Sequence, residues 1–123
     1  MSSSNKKDNI SNNNKDSKNN KDSKIVKDND TYRLIDNIAL DKLVVSKTIL
    51  HPGQETTGHD HAGQEEVYQF TSGHGMMRVG DEKFEVGPND VVLIPDGDFH
   101  KVWNESETED LIFVCVFDGK RNH

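Results

Sequence analysis

Short β-branched runs, each closed by a Gly or Pro turn, limit this chain more than any other feature. Leu43-Val-Val-Ser-Lys-Thr-Ile-Leu50 ends at Pro52-Gly53, and Glu66-Val-Tyr-Gln-Phe-Thr71 ends at Ser72-Gly73. Met76-Met-Arg-Val79 and Lys83-Phe-Glu-Val86 flank Gly80-Asp81, a two-residue hairpin signal. Val91-Val-Leu-Ile94 stops at Pro95, Lys101-Val-Trp103 is brief, and Leu111-Ile-Phe-Val-Cys-Val-Phe117 is the longest apolar run. Helical spacing of apolar residues is absent from Tyr32 onward. Strands spaced by about 8–12 residues with turn residues between them predict an all-β sandwich or barrel. The last run is apolar at both parities, so both of its faces are expected to be covered.

Composition separates one end of the chain from the rest. Residues 1–24 hold only Asn, Ser, Lys and Asp besides Met1 and Ile10, and Asn14–Asn19 is nearly repeated as Asn20–Ile25. So little apolar surface cannot offset the entropy of ordering, which predicts a disordered low-complexity tail over 1–24. Residues 25–123 are expected to form a single domain with its core over about 32–119. Six Lys and three Asp fall in the tail, so the other 99 residues hold nine basic and nineteen acidic side chains, a formal charge of −10. Such a domain carries no basic footprint for nucleic acid and is repelled by anionic membranes. The lone Cys115 excludes an internal disulfide. No apolar run approaches the ~18 residues of a membrane span, and no signal-peptide stretch is visible. These readings predict a cytoplasmic protein.

Six histidines fall at 51, 59, 61, 74, 100 and 123. On a strand, His59 and His61 point to the same face, so two imidazoles can converge on one ion. Glu66 follows, and a second strand could bring His100 opposite. His59 and Glu66 are seven residues apart, which would place them on opposite faces of an unbroken strand. Their grouping needs a turn or bulge, and Ala62-Gly63-Gln64 supplies the small residues for one. Glu66 shares its parity with Tyr68 and Phe70, which favours it over Glu65 as the inward carboxylate.

These residues resemble a known family. Gly53, five residues, His59-x-His61, four residues, Glu66, six residues, Gly73 is similar to the first motif of the cupin superfamily. Pro95-x-Gly97, two residues, His100, three residues, Asn104 is similar to the second. The family's Gly six positions before that Pro is Asn89 here, a mild departure because Asn tolerates the left-handed conformation. The resemblance implies a small single-domain cupin: a double-stranded β-helix, or jelly-roll, barrel with a metal in its mouth. By position it carries over His59, His61, Glu66 and His100 as ligands of one divalent transition ion. Imidazoles with a carboxylate suit Mn, Fe, Ni, Zn or Cu.

Other residues receive plainer readings. His51, before Pro52, is a turn residue, and His123 is terminal. His74 in Ser72-Gly-His-Gly75 reads as a solvated hairpin tip. One of Met76 and Met77 should point inward. Val102 shares the His100 face, Trp103 faces away, and Cys115 is a buried thiol. Asp96 and Asp98 read as solvated, with Gly97 serving the turn. Tyr68 and His74 are the nearest candidates for a catalytic acid or base, and no cofactor-binding residue is visible.

The resemblance implies a small-molecule ligand or substrate. Enzymes with this ligand set include isomerases and lyases, in which the metal acts as a Lewis acid on a sugar, sugar phosphate or carboxylate. The alternatives are an Fe- or Cu-dependent dioxygenase and a non-catalytic metal-held binding or sensor module. Related small cupins are often dimers through an edge-strand interface, so a homodimer is expected by analogy.

Overall fold

The computed structural model describes residues 22–60 and 62–119. Expectations for residues 1–21, for His61 and for His123 lie outside the described residues. Nine strands are described: β1 (Ser23–Asp28), β2 (Tyr32–Asn37), β3 (Leu43–Leu50), β4 (Glu66–Ser72), β5 (Gly75–Val79), β6 (Glu82–Val86), β7 (Val91–Ile94), β8 (His100–Trp103) and β9 (Leu111–Asp118). They form a six-stranded sheet, ordered β1-β2-β3-β9-β4-β7, and a three-stranded sheet, ordered β6-β5-β8. All the pairings are antiparallel. This is the all-β jelly-roll architecture that the punctuation and the two motifs led us to expect.

Period-2 patterning sets the inner faces. Along β9, Leu111, Phe113, Cys115 and Phe117 are buried, while Ile112, Val114 and Val116 are half-buried. Coverage of its outer face is therefore partial, less than the sequence led us to expect. Phe70 and Phe113 are fully buried with ring centroids 5.0 Å apart, and Tyr68 stacks on Phe113 at 5.2 Å. Met77 is buried and Met76 half-buried, as their adjacency requires. Val102 points inward with His100, and Trp103 lies on the opposite face beneath the Lys83 ammonium, 4.4 Å from the ring centroid.

Local turn chemistry follows the sequence closely. Gly80-Asp81 joins β5 to β6, with Gly80 at φ 57°. Asn89 stands at φ 76°, the left-handed conformation that the family's Gly would supply. Gly97 turns at φ 81° between β7 and β8.

Two further features depart from the sequence reading. The tail boundary at residue 24 falls inside β1, where Ser23 and Lys24 pair with Asn37 and Asp36. This strand is mostly exposed and Lys/Asp-rich, so it has little apolar signature. Ladder pairing with β2 holds it in place. His74 is not at a hairpin tip, because β4 and β5 do not pair with each other. The Gly73-His74 connection carries the chain from one sheet to the other. It passes close to the backbone of Asp110, where a Cβ on Gly73 would sit 2.4 Å from the carbonyl oxygen.

Candidate metal centre

β8 and the segment before β4 build the site between them. His59 and His100 form an isolated antiparallel bridge, with His59 N donating to His100 O (3.1 Å) and His100 N donating to His59 O (2.9 Å). Paired residues of this kind project side by side. The two imidazole centroids are accordingly 4.5 Å apart in an edge-on arrangement. Upstream, Glu55 bridges Trp103, and Thr56 exchanges bonds with Val102 through its backbone N and its hydroxyl. Residues 55–59 therefore line the free edge of β8 and fix His59 against it.

Glu66 opens β4 on the inner face, 7% exposed, while Glu65 is exposed. Its register neighbours across β4 are Phe117 and Ile94. The parity problem between His59 and Glu66 is resolved at the expected place. Ala62-Gly63 makes a turn, with Gly63 at φ 86°. The Gly63 N–H donates to Asp96 Oδ1 at 2.6 Å, so Asp96 anchors this turn to the loop that precedes His100. Asp96 is exposed, as the sequence led us to expect, but spacing carries no sign of a bond between residues so far apart.

Ligand atoms from His59, Glu66 and His100 all lie within 4.8 Å of one another. His100 Nε2 is 3.2 Å from Glu66 Oε2, and His100 Nδ1 is 3.1 Å from the Asp98 carbonyl oxygen. A carbonyl can only accept, so Nδ1 carries a hydrogen and donates it. Nε2 then faces a carboxylate oxygen with its lone pair unless a cation, proton or metal, lies between them. A carbonyl that fixes the tautomer in this way is the usual support of a metal-bound imidazole. The donor set therefore fits a divalent transition ion.

The same contacts set the charge behaviour of His100. Burial pushes its pKa down, but hydrogen bonds donated to Glu66 and to the Asp98 carbonyl, with the charges of Glu66 and Asp60, outweigh that. The net result is a value above 6.5. The Asp60 contribution went unnoticed in the sequence, where it reads only as the spacer between two histidines.

The remaining candidates fall inside and outside this cluster. Tyr68 is buried beside it, its ring edge-on to His100 at 5.7 Å. His74 does not join it. His100 pairs with Val79 at one end of β5, while His74 precedes Gly75 at the other end. His74 is exposed there, against Gly87 and at the rim of an open cavity of about 710 Å³. His51 sits in a turn, its Nδ1 3.2 Å from Asp110 Oδ1. Cys115 is buried.

The cupin-domain family matches residues 46–117, which is more than half of the chain and includes both motifs. The chain belongs to the cupin family. Among curated relatives, this cupin is 33% identical over 76 residues to an uncharacterized protein of Methanocaldococcus jannaschii, covering 62% of this chain and 61% of that one. It is 35% identical over 74 residues to the auxin-binding protein T85 of Nicotiana tabacum, covering 53% and 40%. It thus spans less than two thirds of either relative. Among solved structures, TT1209 from Thermus thermophilus superposes with a TM-score of 0.70 at 26% identity, over 76% of this chain and 89% of that one.

Gly63 offers a test of the turn. A Cβ there would meet nothing within 4 Å, so the cost of Gly63→Val is conformational, about 1–3 kcal/mol for a β-branched residue at positive φ. Metal affinity is expected to drop by roughly tenfold or more, because the turn sets Glu66 against His59. Gln69→Val, an exposed position on β4, should leave affinity unchanged. Equilibrium dialysis with Zn or Mn compares the two. Equal affinities would show that the turn does not position the ligands.

Proposed function

We propose that this cupin is a metal-dependent enzyme acting on a small polar substrate, such as a sugar, sugar phosphate or carboxylate, in an isomerase or lyase reaction. The observation that carries this reading is the convergence of His59, Glu66 and His100, two of them buried and one exposed. His61, two residues from His59 in the first motif, completes the ligand set in our reading. One ion of Mn, Fe, Ni, Zn or Cu held there supplies Lewis-acid polarisation of substrate oxygens. The exposed side of the cluster, at His59, is where a substrate would enter. Tyr68 would hold a proton at its phenolic oxygen, beside His100, for transfer to or from the bound substrate.

The match to an auxin-binding protein favours a second reading, a binding module without turnover. One set of assays separates the readings. The metal-loaded full chain is screened against sugars, sugar phosphates and small carboxylates, with oxygen uptake followed in parallel. Isomerised or cleaved product without oxygen uptake supports the proposal. Stoichiometric oxygen consumption points to a dioxygenase. Saturable binding with no product over the whole screen favours the binding module and counts against the enzyme.

A further inference from the structure

We propose that the outer face of the three-stranded sheet binds the phosphate group of a small-molecule phosphomonoester, held by Arg78, Lys83 and Lys101. These are all the Lys and Arg of that sheet. Register gathers them into one cross-strand row: Lys83 on β6 pairs with Arg78 on β5, and Arg78 pairs with Lys101 on β8. Like charges directly opposite one another repel and weaken a sheet. Two such pairs share Arg78 here, in a chain whose net charge is −7. An anion seated over Arg78 removes that repulsion. The row lies apart from the metal centre, because His100 and Val102 are buried on the inner face of β8 while Lys101 and Trp103 are half-buried on the outer one.

Aromatic rings hold the three cations. The Arg78 guanidinium lies 5.1 Å from the Phe99 ring centroid, and its Nε donates to the Gly80 carbonyl oxygen at 2.7 Å. Asp81 Oδ1 stands 4.0 Å from Nη2, beyond hydrogen-bond distance, which leaves the terminal nitrogens for an outside acceptor. Lys83 and Lys101 lie over one ring, that of Trp103, at 4.4 and 5.4 Å. Lys101 also pairs with Glu55 at 2.5 Å, which uses one of its three ammonium hydrogens. Lys83 makes no ion pair among the described residues.

This arrangement selects a tetrahedral oxyanion. The outer strands of the row are about 10 Å apart at ~4.8 Å per strand, and Lys83 narrows the gap by reaching over β5 to a ring on β8. A guanidinium fork takes two oxygens of a phosphate, and a flexible ammonium reaches the third. A carboxylate has only two oxygens, in one plane, to share among three cations. Size is limited as well. Asp81 and Glu85 flank Lys83, two residues away on either side, and both are exposed. A continuous polyanion such as nucleic acid, or an anionic membrane, would lie across these carboxylates and over an acidic domain. A compact ester avoids them. The chain's own first 24 residues, with six Lys against three Asp, have the wrong sign to occupy the row.

Trp103, the chain's only tryptophan, stands against two of the three cations and reads the row directly. The full chain is titrated with glycerol 3-phosphate and with inorganic phosphate, at constant ionic strength set with chloride, and followed by Trp103 emission and by calorimetry. The expected result is saturable binding of both, one ester per chain, unchanged after EDTA treatment and dialysis. Arg78→Gln and Lys83→Gln should each weaken it roughly tenfold or more, because each loses a hydrogen bond between charged groups. Lys47→Gln, on the outer face of the other sheet, should match the wild type. Acetate should not bind. Absence of saturable binding in both readouts would overturn the proposal. So would binding that is lost with the metal, which would place the phosphate at the metal centre, or binding that survives both row variants. Binding of inorganic phosphate without the ester would point to free phosphate and count against it as well.

Discussion

Raising the pH from 5.5 to 8 is expected to lower the unfolding midpoint of the metal-free protein and to raise that of the metal-loaded protein. The first trend comes from His100, whose pKa is 6.5 in an ordinary setting and higher in the fold. Between the two values the folded state binds more protons than the unfolded one. The stabilisation is therefore fully present below about 6.5 and is lost as the pH rises through the folded-state value. The second trend comes from ligation. Imidazole must shed its proton to bind a metal, so protons compete with the ion at low pH and the holo form gains as they leave. With free metal a thousandfold above its dissociation constant, binding contributes about 4 kcal/mol. For a domain near this size that amounts to roughly 15 °C or more in midpoint. The gap between loaded and EDTA-treated protein should thus widen with pH. Calorimetric scans across the range measure both curves. His100→Ala should flatten both, and parallel curves would contradict a shared role for His100 as proton holder and ligand.

Asn104→Ala should be strongly destabilising, although the residue lies outside the cluster and outside the apolar core. The side chain is 3% exposed, and its Nδ2 lies 2.8–3.1 Å from the carbonyl oxygens of Leu50, His51 and Glu109. Its Oδ1 accepts from Ser106 N at 3.0 Å. One amide thus ties the end of β8 to the end of β3 and to the loop before β9. Truncation leaves these backbone groups without their partner, at about 1–3 kcal/mol per desolvated group, so a loss of about 3 kcal/mol is expected. Asn104→Asp keeps the acceptor for Ser106 but sets a carboxylate against three carbonyls, and should be no better. Urea unfolding reads both variants, and a loss below about 1 kcal/mol would show that the carbonyls find other donors or water.

What could be read from the sequence was whatever a few neighbouring residues decide. Gly80-Asp81 announces its hairpin, Asn89 its left-handed turn, and the odd spacing of His59 and Glu66 the break at Gly63. The second motif named Asn104 but gave no hint that it bridges three segments. What escaped depends on contacts between distant parts of the chain. β1 has almost no apolar signal and exists because β2 offers it a ladder. Gly73-His74 has the composition of a hairpin tip, and only the sheet order shows that it is a crossing between sheets. The pairing of residues 55–59 along β8 likewise has no local mark, although it sets His59 beside His100. His74, a candidate by residue type alone, ended at the far end of β5 from the cluster.

The central claim is that residues from both motifs hold one metal ion. Elemental analysis of the purified full chain, followed by equilibrium dialysis at about pH 7.5 with Zn, Mn, Fe, Ni and Cu, addresses it most directly. The account predicts one divalent transition ion per chain in the wild-type protein and in His51→Ala. It predicts loss of most of that ion in His59→Ala, Glu66→Ala and His100→Ala. A wild-type protein that neither carries nor takes up such an ion, or a His100→Ala variant that keeps it at full affinity, would contradict the account.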